Sequence, residues 1–487
     1  MIRFGTSGWR AVIAEEFTLA NVRRVAAAIA RVLRATGGPP RRGVYVGYDT
    51  RFMSERFARE AGAVLAAHGF PVTLSPVPVP TPAVAFAIVS GRRLAGINIT
   101  ASHNPPEYSG LKFSTADGAP ALPEVTQAIE RALASEEGAA VTAPGSPPGA
   151  EGDGPSAPAG GRPASRTAAS VKSLDIRAAY FKRLLGLTRP ALIRRARLSV
   201  ACDPRYGASI GFLDGILAKV ARKVEVIHGQ AHPEFGGTGP DCGEEQLKPL
   251  GRLVRGGRHH LGLATDGDGD RFGIVDRGGA FVTPNLFLAT LADYLIEERR
   301  LPGGVARSVS TTHLLDAVCA HHGRRLFETP VGFKYMGEHL KSGRAFLACE
   351  ESAGLSLRGH VPEKDGILAG LLAAEMVAAR KKSLRDQVRD LFEKVGPLYS
   401  RRIDYHIDAA ARERLARRLE EVPSSFAGRR IARADTSDGR KMVFTDGSWI
   451  LFRPSGTEPL LRCYGEARTP KDLETLMQAA RELILKA

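Results

Sequence analysis

Cysteine is scarce in this chain. Cys202, Cys242, Cys319, Cys349 and Cys463 are widely scattered, odd in number and without metal-ligand spacing. That argues against a disulfide framework and suits a reducing, cytoplasmic compartment. Long apolar runs are also missing: none approaches the roughly 20 residues a membrane span needs. The N-terminus, Met1-Ile2-Arg3-Phe4-Gly5, has no apolar h-region, so no secretory signal is expected. The net charge is +16, yet there is no long basic block and no basic tract interleaved with aromatics. Arg194-Arg195 and Arg401-Arg402 are short enough to be solvated faces. A basic balance can mean a nucleic-acid partner, and charge alone does not decide it. The same excess of positive charge suits an anionic small-molecule substrate.

At 487 residues, with 43% hydrophobic side chains, the chain is long enough for three or four domains with real cores. A helical pattern over Leu19–Ala35 is followed by a strand at Val44–Asp49, a helix at Ser54–His68, a strand at Pro71–Leu74 and a helix at Thr81–Val89. The apolar run Leu94–Ile99 reads as a buried strand. This alternation implies parallel βαβ units. Ser135 to Ser170 is rich in Gly, Pro, Ala and Ser, cannot build a core, and reads as a linker or insertion. The β-α pattern restarts near residue 173, with a helix expected over Ser209–Val220, and again after residue 277. A smaller α+β unit begins beyond Lys394. The expected divisions are 1–134, a linker over 135–172, 173–277, 278–394 and 395–487.

Four stretches carry candidate chemistry. Thr100-Ala101-Ser102-His103-Asn104-Pro105 follows the strand Leu94–Ile99, so Ser102 leaves a strand end beside a histidine. That fits a nucleophile site, and on these residues alone it fits an ordinary polar turn equally. Asp266-Gly267-Asp268-Gly269-Asp270-Arg271 follows the strand Leu261–Thr265. Three carboxylates so close repel unless a cation sits among them, the glycines let the backbone converge, and hard oxygen ligands at this density suit Mg²⁺. An EF-hand is excluded, because its sixth and twelfth loop positions would be Arg271 and Arg277. Glu350-Glu351-Ser352-Ala353-Gly354 follows the strand Ala345–Ala348 and offers groups for sugar hydroxyls or, equally, a helix-capping turn. Arg453-Pro454-Ser455-Gly456-Thr457-Glu458-Pro459 combines an arginine fork, two hydroxyls and a Gly-permitted turn, which describes a phosphate cradle. No Gly-Lys-Ser/Thr follows, so it is not a nucleotide-binding P-loop. Near the start, Gly5-Thr6-Ser7-Gly8-Trp9-Arg10 forms either an anion nest or a plain turn.

These four stretches, in this order across nearly the whole chain, resemble the signature loops of the α-D-phosphohexomutase superfamily, which includes phosphoglucomutase and phosphomannomutase. Gly5–Arg10 resembles its N-terminal motif, and Glu363-Lys364-Asp365-Gly366 a segment of its phosphoglucomutase-like branch. The resemblance implies three similar α/β domains with mixed sheets and a C-terminal α+β domain of TATA-box-binding-protein-like fold, heart-shaped around a central cleft. It implies that Ser102 carries a phosphoryl group and that Asp266, Asp268 and Asp270 hold Mg²⁺, which also contacts the phosphoserine. Lys112 would be the general acid/base, its pKa lowered by cationic neighbours. Glu350 and Ser352 would bind sugar hydroxyls, while Arg453, Ser455, Gly456 and Thr457 would hold the phosphate that is not reacting. Thr6, Ser7, Arg10, His103, Arg271 and Lys334 would lie near the reacting phosphate or the sugar.

The expected activity is interconversion of glucose 1-phosphate and glucose 6-phosphate through a phosphoserine enzyme, with glucose 1,6-bisphosphate as intermediate and activator. Glu351 and Val331-Gly332-Phe333-Lys334-Tyr335 resemble the glucose-preferring branch, whereas Ala353 departs from the glycine often found there. The alternatives are a phosphomannomutase or dual-specificity enzyme and, in a different class, a non-catalytic phosphosugar-binding protein. No nucleic-acid or membrane partner is expected, and the protein is expected to be a monomer or homodimer.

Overall fold

A computed structural model of the chain describes residues 2–5, 8–36, 38–135, 169–419, 423–454 and 460–486. Thr6, Ser7, Ser455, Gly456, Thr457 and most of the expected linker lie outside these residues.

The first sheet has six strands, in the order Trp9–Val12, Tyr108–Thr115, Ala95–Ile99, Val44–Tyr48, Val72–Leu74, Val171–Ser173. The last four are mutually parallel, and the first two are antiparallel additions. Val171 and Lys172, assigned from sequence to the linker, belong to this edge strand. Their backbone pairs with Val72 and Thr73, a use of main-chain hydrogen bonds that composition does not reveal. Helix Leu19–Ala35 covers the sheet with a stripe of Val22, Val25, Ala26, Ile29, Ala30 and Leu33, spaced three and four apart. The Thr18 hydroxyl accepts the Asn21 N–H and starts the helix.

The second sheet runs Phe281–Val282, Phe272–Asp276, Leu261–Thr265, Ser199–Asp203, Lys223–Val226, and the third Leu326–Thr329, Gly304–Ser308, Ala345–Glu350, Gly354–Leu357. Both are mixed. In each of the three sheets a buried apolar strand lies parallel to its inner neighbour, then turns back into an antiparallel partner. Ala95–Ile99 returns as Tyr108–Thr115, Leu261–Thr265 as Phe272–Asp276, and Ala345–Glu350 as Gly354–Leu357. The Ser102, Asp266–Asp270 and Glu351–Ala353 motifs are these three turn-backs.

The helix expected at Ser209–Val220 is only Leu213–Leu217. Before it, Ala208 donates its N–H to Gly267 O, and Gly211 takes a left-handed φ of 74° that breaks helical continuity. Helices Pro123–Ala134, Arg177–Leu187, Pro190–Ala196 and Leu384–Val395 complete these units. Helix Gly366–Arg380 is buried from Gly366 to Ala378 and packs against strands of both the second and third sheets. Each of Leu371, Leu372 and Met376 contributes on the order of 2 kcal/mol by leaving water, which welds the two units. Asp365 caps this helix by accepting the Leu368 N–H.

The fourth unit is a six-stranded, wholly antiparallel sheet, Tyr399–His406, Leu460–Ala467, Trp449–Pro454, Arg440–Phe444, Arg429–Asp435, Ser425–Phe426. Helix Pro470–Leu485 packs on it through Leu473, Leu476, Met477, Ala480 and Ile484. Trp449, Leu451 and Tyr464 dock against Val309 of the third unit. Among the described residues no helix is long and apolar enough to cross a membrane.

Candidate active site

Ser102 leaves the end of strand Ala95–Ile99 with a left-handed φ of 55°, uncommon for a residue with a Cβ. Its N–H donates to Thr100 Oγ1 at 2.9 Å. Its carbonyl is held by Arg51, whose guanidinium is fully buried. Arg51 also donates to the carbonyls of Asn104, Pro105 and Tyr108 at 2.7–2.9 Å and pairs with Asp49 at 3.0 Å. One side chain thus grips the whole turn-back and supplies the backbone partners that a buried loop needs.

The Ser102 hydroxyl donates to Asp266 Oδ2 at 3.0 Å across the boundary between the first and second units. Asp266, Asp268 and Asp270 are at most 1% exposed, and one oxygen from each lies within 4.8 Å of the others. The glycines between them make this possible. Gly269 has φ of 73°, and a Cβ there would stand 2.5 Å from Ser209 Oγ; a Cβ on Gly267 would meet the Ser102 carbonyl at 3.0 Å. Thr81 ties the loop to the first unit by donating both its N–H and its hydroxyl to Asp268.

Lys112 lies on strand Tyr108–Thr115, in register with Asn98 of the strand that delivers Ser102. Its Nζ donates to Asp268 Oδ2 at 2.6 Å and Asp270 Oδ2 at 2.7 Å. Lys364, from the Glu363–Gly366 segment, approaches Asp270 at 3.4 Å. Burial works against charge at all three aspartates. At Asp266 burial, joined by the charges of Asp268 and Asp270, pushes the carboxyl well above its ordinary range. At Asp268 burial is outweighed, chiefly by Lys112, and at Asp270 by Lys112, Lys364 and Arg271, so both stay below it. Burial also opposes the Lys112 ammonium, but Asp268 and Asp270 prevail and its pKa is raised. The expectation that cationic neighbours lower it is corrected: its nearest neighbours are carboxylates.

Asp268 Oδ1 and Asp270 Oδ1 are buried without a hydrogen-bond partner among the described residues. Orphaned carboxylate oxygens in a converging trio of hard donors fit a divalent cation, so this trio could hold a metal ion.

Of the remaining predicted residues, Arg10 donates to Asn104 Oδ1 at 2.7 Å, within the Ser102 loop. His103 lies against Arg271, and burial, with the Arg271 and Arg10 charges, holds it well below its ordinary pKa, as a neutral ring. The Arg271 N–H donates to Asp266 Oδ1 at 3.0 Å. Glu350 is the last residue of its strand rather than the first of the loop. Its Oε1 accepts the Gly332 N–H at 2.9 Å, which ties to it the turn that leads into helix Phe333–Lys341. Glu350 is pushed up by burial. Ser352 follows in the turn, where Ala353 takes φ of 66°, a conformation that glycine adopts without strain. Lys334 lies over the Tyr335 ring and faces Glu124 of the first unit, and no described contact joins it to the aspartates. Glu351 accepts from Ser310 at 2.9 Å and its N–H donates to Thr311. Arg453 is the penultimate residue of strand Trp449–Pro454 and pairs with Asp438 at 2.8 Å.

Sequence reasoning missed Arg51, Thr81, Lys364 and Asp438 as parts of this arrangement. Lys364 lay in a stretch already singled out for its resemblance. The other three carried no local signal for this arrangement, because the partners that draw them into it are 51–57, 187 and 107 positions away.

The comparisons with known proteins agree with this geometry. The chain matches the phosphoglucomutase/phosphomannomutase alpha/beta/alpha domain I over residues 1–140, domain II over 178–279, domain III over 283–395, and the C-terminal domain over 409–483. It is 30% identical to a phosphoglucomutase of Komagataeibacter xylinus, over 99% of this chain and 90% of the relative. It is 26% identical to a phosphoglucomutase/phosphomannomutase of Thermococcus kodakarensis, over 99% and 98%. A crystal structure described as a "putative phosphomannomutase" from Thermus thermophilus superposes with a TM-score of 0.83 at 34% identity, covering 99% of both chains. Four matched domains in order, two contributing a turn-back to one buried serine–carboxylate–lysine cluster and a third bringing Lys364 to it, lead to one conclusion: the chain belongs to the phosphoglucomutase/phosphomannomutase family of phosphomutases.

Proposed function

We propose that the protein is a phosphoglucomutase that interconverts glucose 1-phosphate and glucose 6-phosphate through a phosphorylated Ser102. The observation that carries this reading is the Ser102 hydroxyl bonded to Asp266 inside a buried trio of carboxylates that also holds the Lys112 ammonium. A binding protein has no use for a nucleophile at such cost in buried charge. Asp266, Asp268 and Asp270 would hold Mg²⁺, which, when bound, would offset negative charge on the phosphoryl oxygens.

The cycle follows from the residues. The phosphoryl group passes from Ser102 Oγ to the free hydroxyl of the sugar phosphate and gives the 1,6-bisphosphate. The hexose then turns over, and its other phosphoryl group returns to Ser102. In each half, the attacking hydroxyl loses a proton and the departing oxygen gains one. Lys112, held as an ammonium, gives a proton to the departing oxygen and takes one back from the attacking hydroxyl. Arg10, through Asn104, and Arg271, beside His103, frame the reacting phosphate. Glu350 and Ser352 address the sugar hydroxyls, with Lys334, Thr6 and Ser7 completing the substrate set. Arg453, Ser455, Gly456 and Thr457 hold the distal phosphate, which must be either phosphate in turn. Their place on a separate domain suits that exchange.

The Glu-Glu-Ser turn and the Komagataeibacter relative support glucose. The Thermus neighbour at 34% identity keeps a phosphomannomutase or dual-specificity enzyme as the second reading. A coupled assay of glucose, mannose and glucosamine 1-phosphates, each primed with its bisphosphate, separates them. Glucose should dominate kcat/KM, and comparable rates on mannose 1-phosphate would overturn the branch assignment.

A further inference from the structure

Two consecutive backbone N–H groups of the third domain, Val331 and Gly332, are each held by a carboxylate, and the two carboxylates come from different domains. Gly332 donates to Glu350 Oε1 at 2.9 Å, within its own domain. Val331 donates to Asp438 Oδ2 at 2.8 Å, in the fourth domain. The other oxygen of Asp438 accepts from Arg453 Nε at 2.8 Å. Asp438 and Arg453 are only 21% and 14% exposed. The turn carrying Asp438 is pressed onto Arg453's strand: Gly439 has φ of 95°, and a Cβ there would stand 2.5 Å from Phe452 O. A continuous path therefore runs from Arg453 through Asp438 and the Val331–Gly332 amides to Glu350.

We propose that Asp438 is a positioning residue that aims Arg453 at the non-reacting phosphate and sets the Val331–Gly332 turn of the third domain, which Glu350 also holds, in register with it. A carboxylate on Nε fixes the plane and direction of a guanidinium, and the remaining edge is the one that forks onto a phosphate. The same carboxylate anchors the loop that Glu350 holds from the other side. Capture of the phosphate by the fourth domain and placement of the sugar against the third thereby become one event. The inference rests on the assignment of Arg453 to the phosphate.

The test compares Asp438→Ala, Asp438→Asn, Arg453→Ala and the Asp438→Ala/Arg453→Ala double variant in steady-state turnover of glucose 1-phosphate, with amide hydrogen exchange at Val331. Arg453→Ala should raise KM by about tenfold to a hundredfold, the scale of a lost charge-assisted bond. Asp438→Ala should raise KM by a comparable factor and speed exchange at Val331, and the KM of the double variant should rise by less than the product of the two single effects, because part of what Asp438 does runs through Arg453. Asp438→Asn keeps one acceptor oxygen, should fall between, and carries the test if the alanine variant does not fold. If Arg453→Ala raises KM while neither Asp438 variant does, or if the effects multiply in the double variant, the positioning role is overturned and the phosphate assignment stands. An unchanged KM in Arg453→Ala overturns the phosphate assignment, and the positioning role with it.

Discussion

Replacing Arg51 with methionine should disable the Ser102 loop without touching any group that reacts. The guanidinium makes five bonds to carbonyls and to Asp49, and its flat face lies 4.9 Å from the Phe235 ring of the second domain. Charge-assisted bonds are worth about 1.5–3 kcal/mol each, but bonds from one group do not add. A better guide is the loss of one partner from a buried ion pair, about 3–5 kcal/mol. Burial already pushes the Asp49 carboxyl up, and Arg51 opposes it. Without Arg51 that carboxyl neutralises rather than bear an unpaired charge, so the lower part of the range, about 3 kcal/mol, is expected. The loop carbonyls then seek water and Ser102 leaves its left-handed conformation. A displacement of about 1 Å costs on the order of a hundredfold in rate.

Hydrogen exchange of residues 98–112 should therefore accelerate, and kcat should fall about a hundredfold with KM little changed. Arg51→Lys should rescue only part, since an ammonium has three donors for five acceptors. Wild-type turnover and exchange in Arg51→Met would refute the argument that this side chain holds the nucleophile loop in place.

Ser102→Ala should lose turnover while keeping the thermal unfolding profile, and substantial mutase activity in that variant would remove the phosphoserine from the mechanism. Chelating divalent metal should stop turnover, and excess Mg²⁺ should restore it; full activity in excess EDTA would remove the metal from the aspartate trio. Lys441 of the fourth domain is fully buried and donates to Val309 O of the third. Burial, with Arg307, pushes its ammonium down to about 8 from 10.5. Between those values the unfolded chain binds the extra proton, so this group makes stability rise with pH, by up to about 3 kcal/mol across the window. Exchange protection of the fourth domain, compared between wild type and Lys441→Met from pH 8 to 10, should show the slope in the former alone, and equal slopes would count against it.

The site motifs were legible because each is a local event. A continuous apolar run such as Leu261–Thr265 can only be a buried strand, and the charged or hydroxylated residues after it must lie in the turn at its end. Helix Leu19–Ala35 was equally legible, having both a periodic apolar face and the Thr18 cap. Where the signal left out what the segment packs against, it failed. Ser209–Val220 has helical periodicity, yet its first half is drawn into turns that pack against Gly267. The linker boundary overran Val171 and Lys172, because an edge strand recruited through its backbone needs no particular side chains.

What the sequence by itself determined is the set of candidate site groups and the strand ends that present them: Ser102, the three aspartates, the Glu350 turn and Arg453. Tertiary structure decided how they are held and charged. Lys112 stands ten residues from Ser102, but its charge state depends on Asp268 and Asp270, more than 150 positions away. Asp49 and Arg51 close around the Ser102 loop from another strand end, and Asp438 joins Arg453 of the fourth domain to the Val331–Gly332 turn of the third. The physical reason is common to all of them. A buried charge is tolerable only where a partner meets it, and which partner meets it is settled by the packing of domains, which no local pattern encodes.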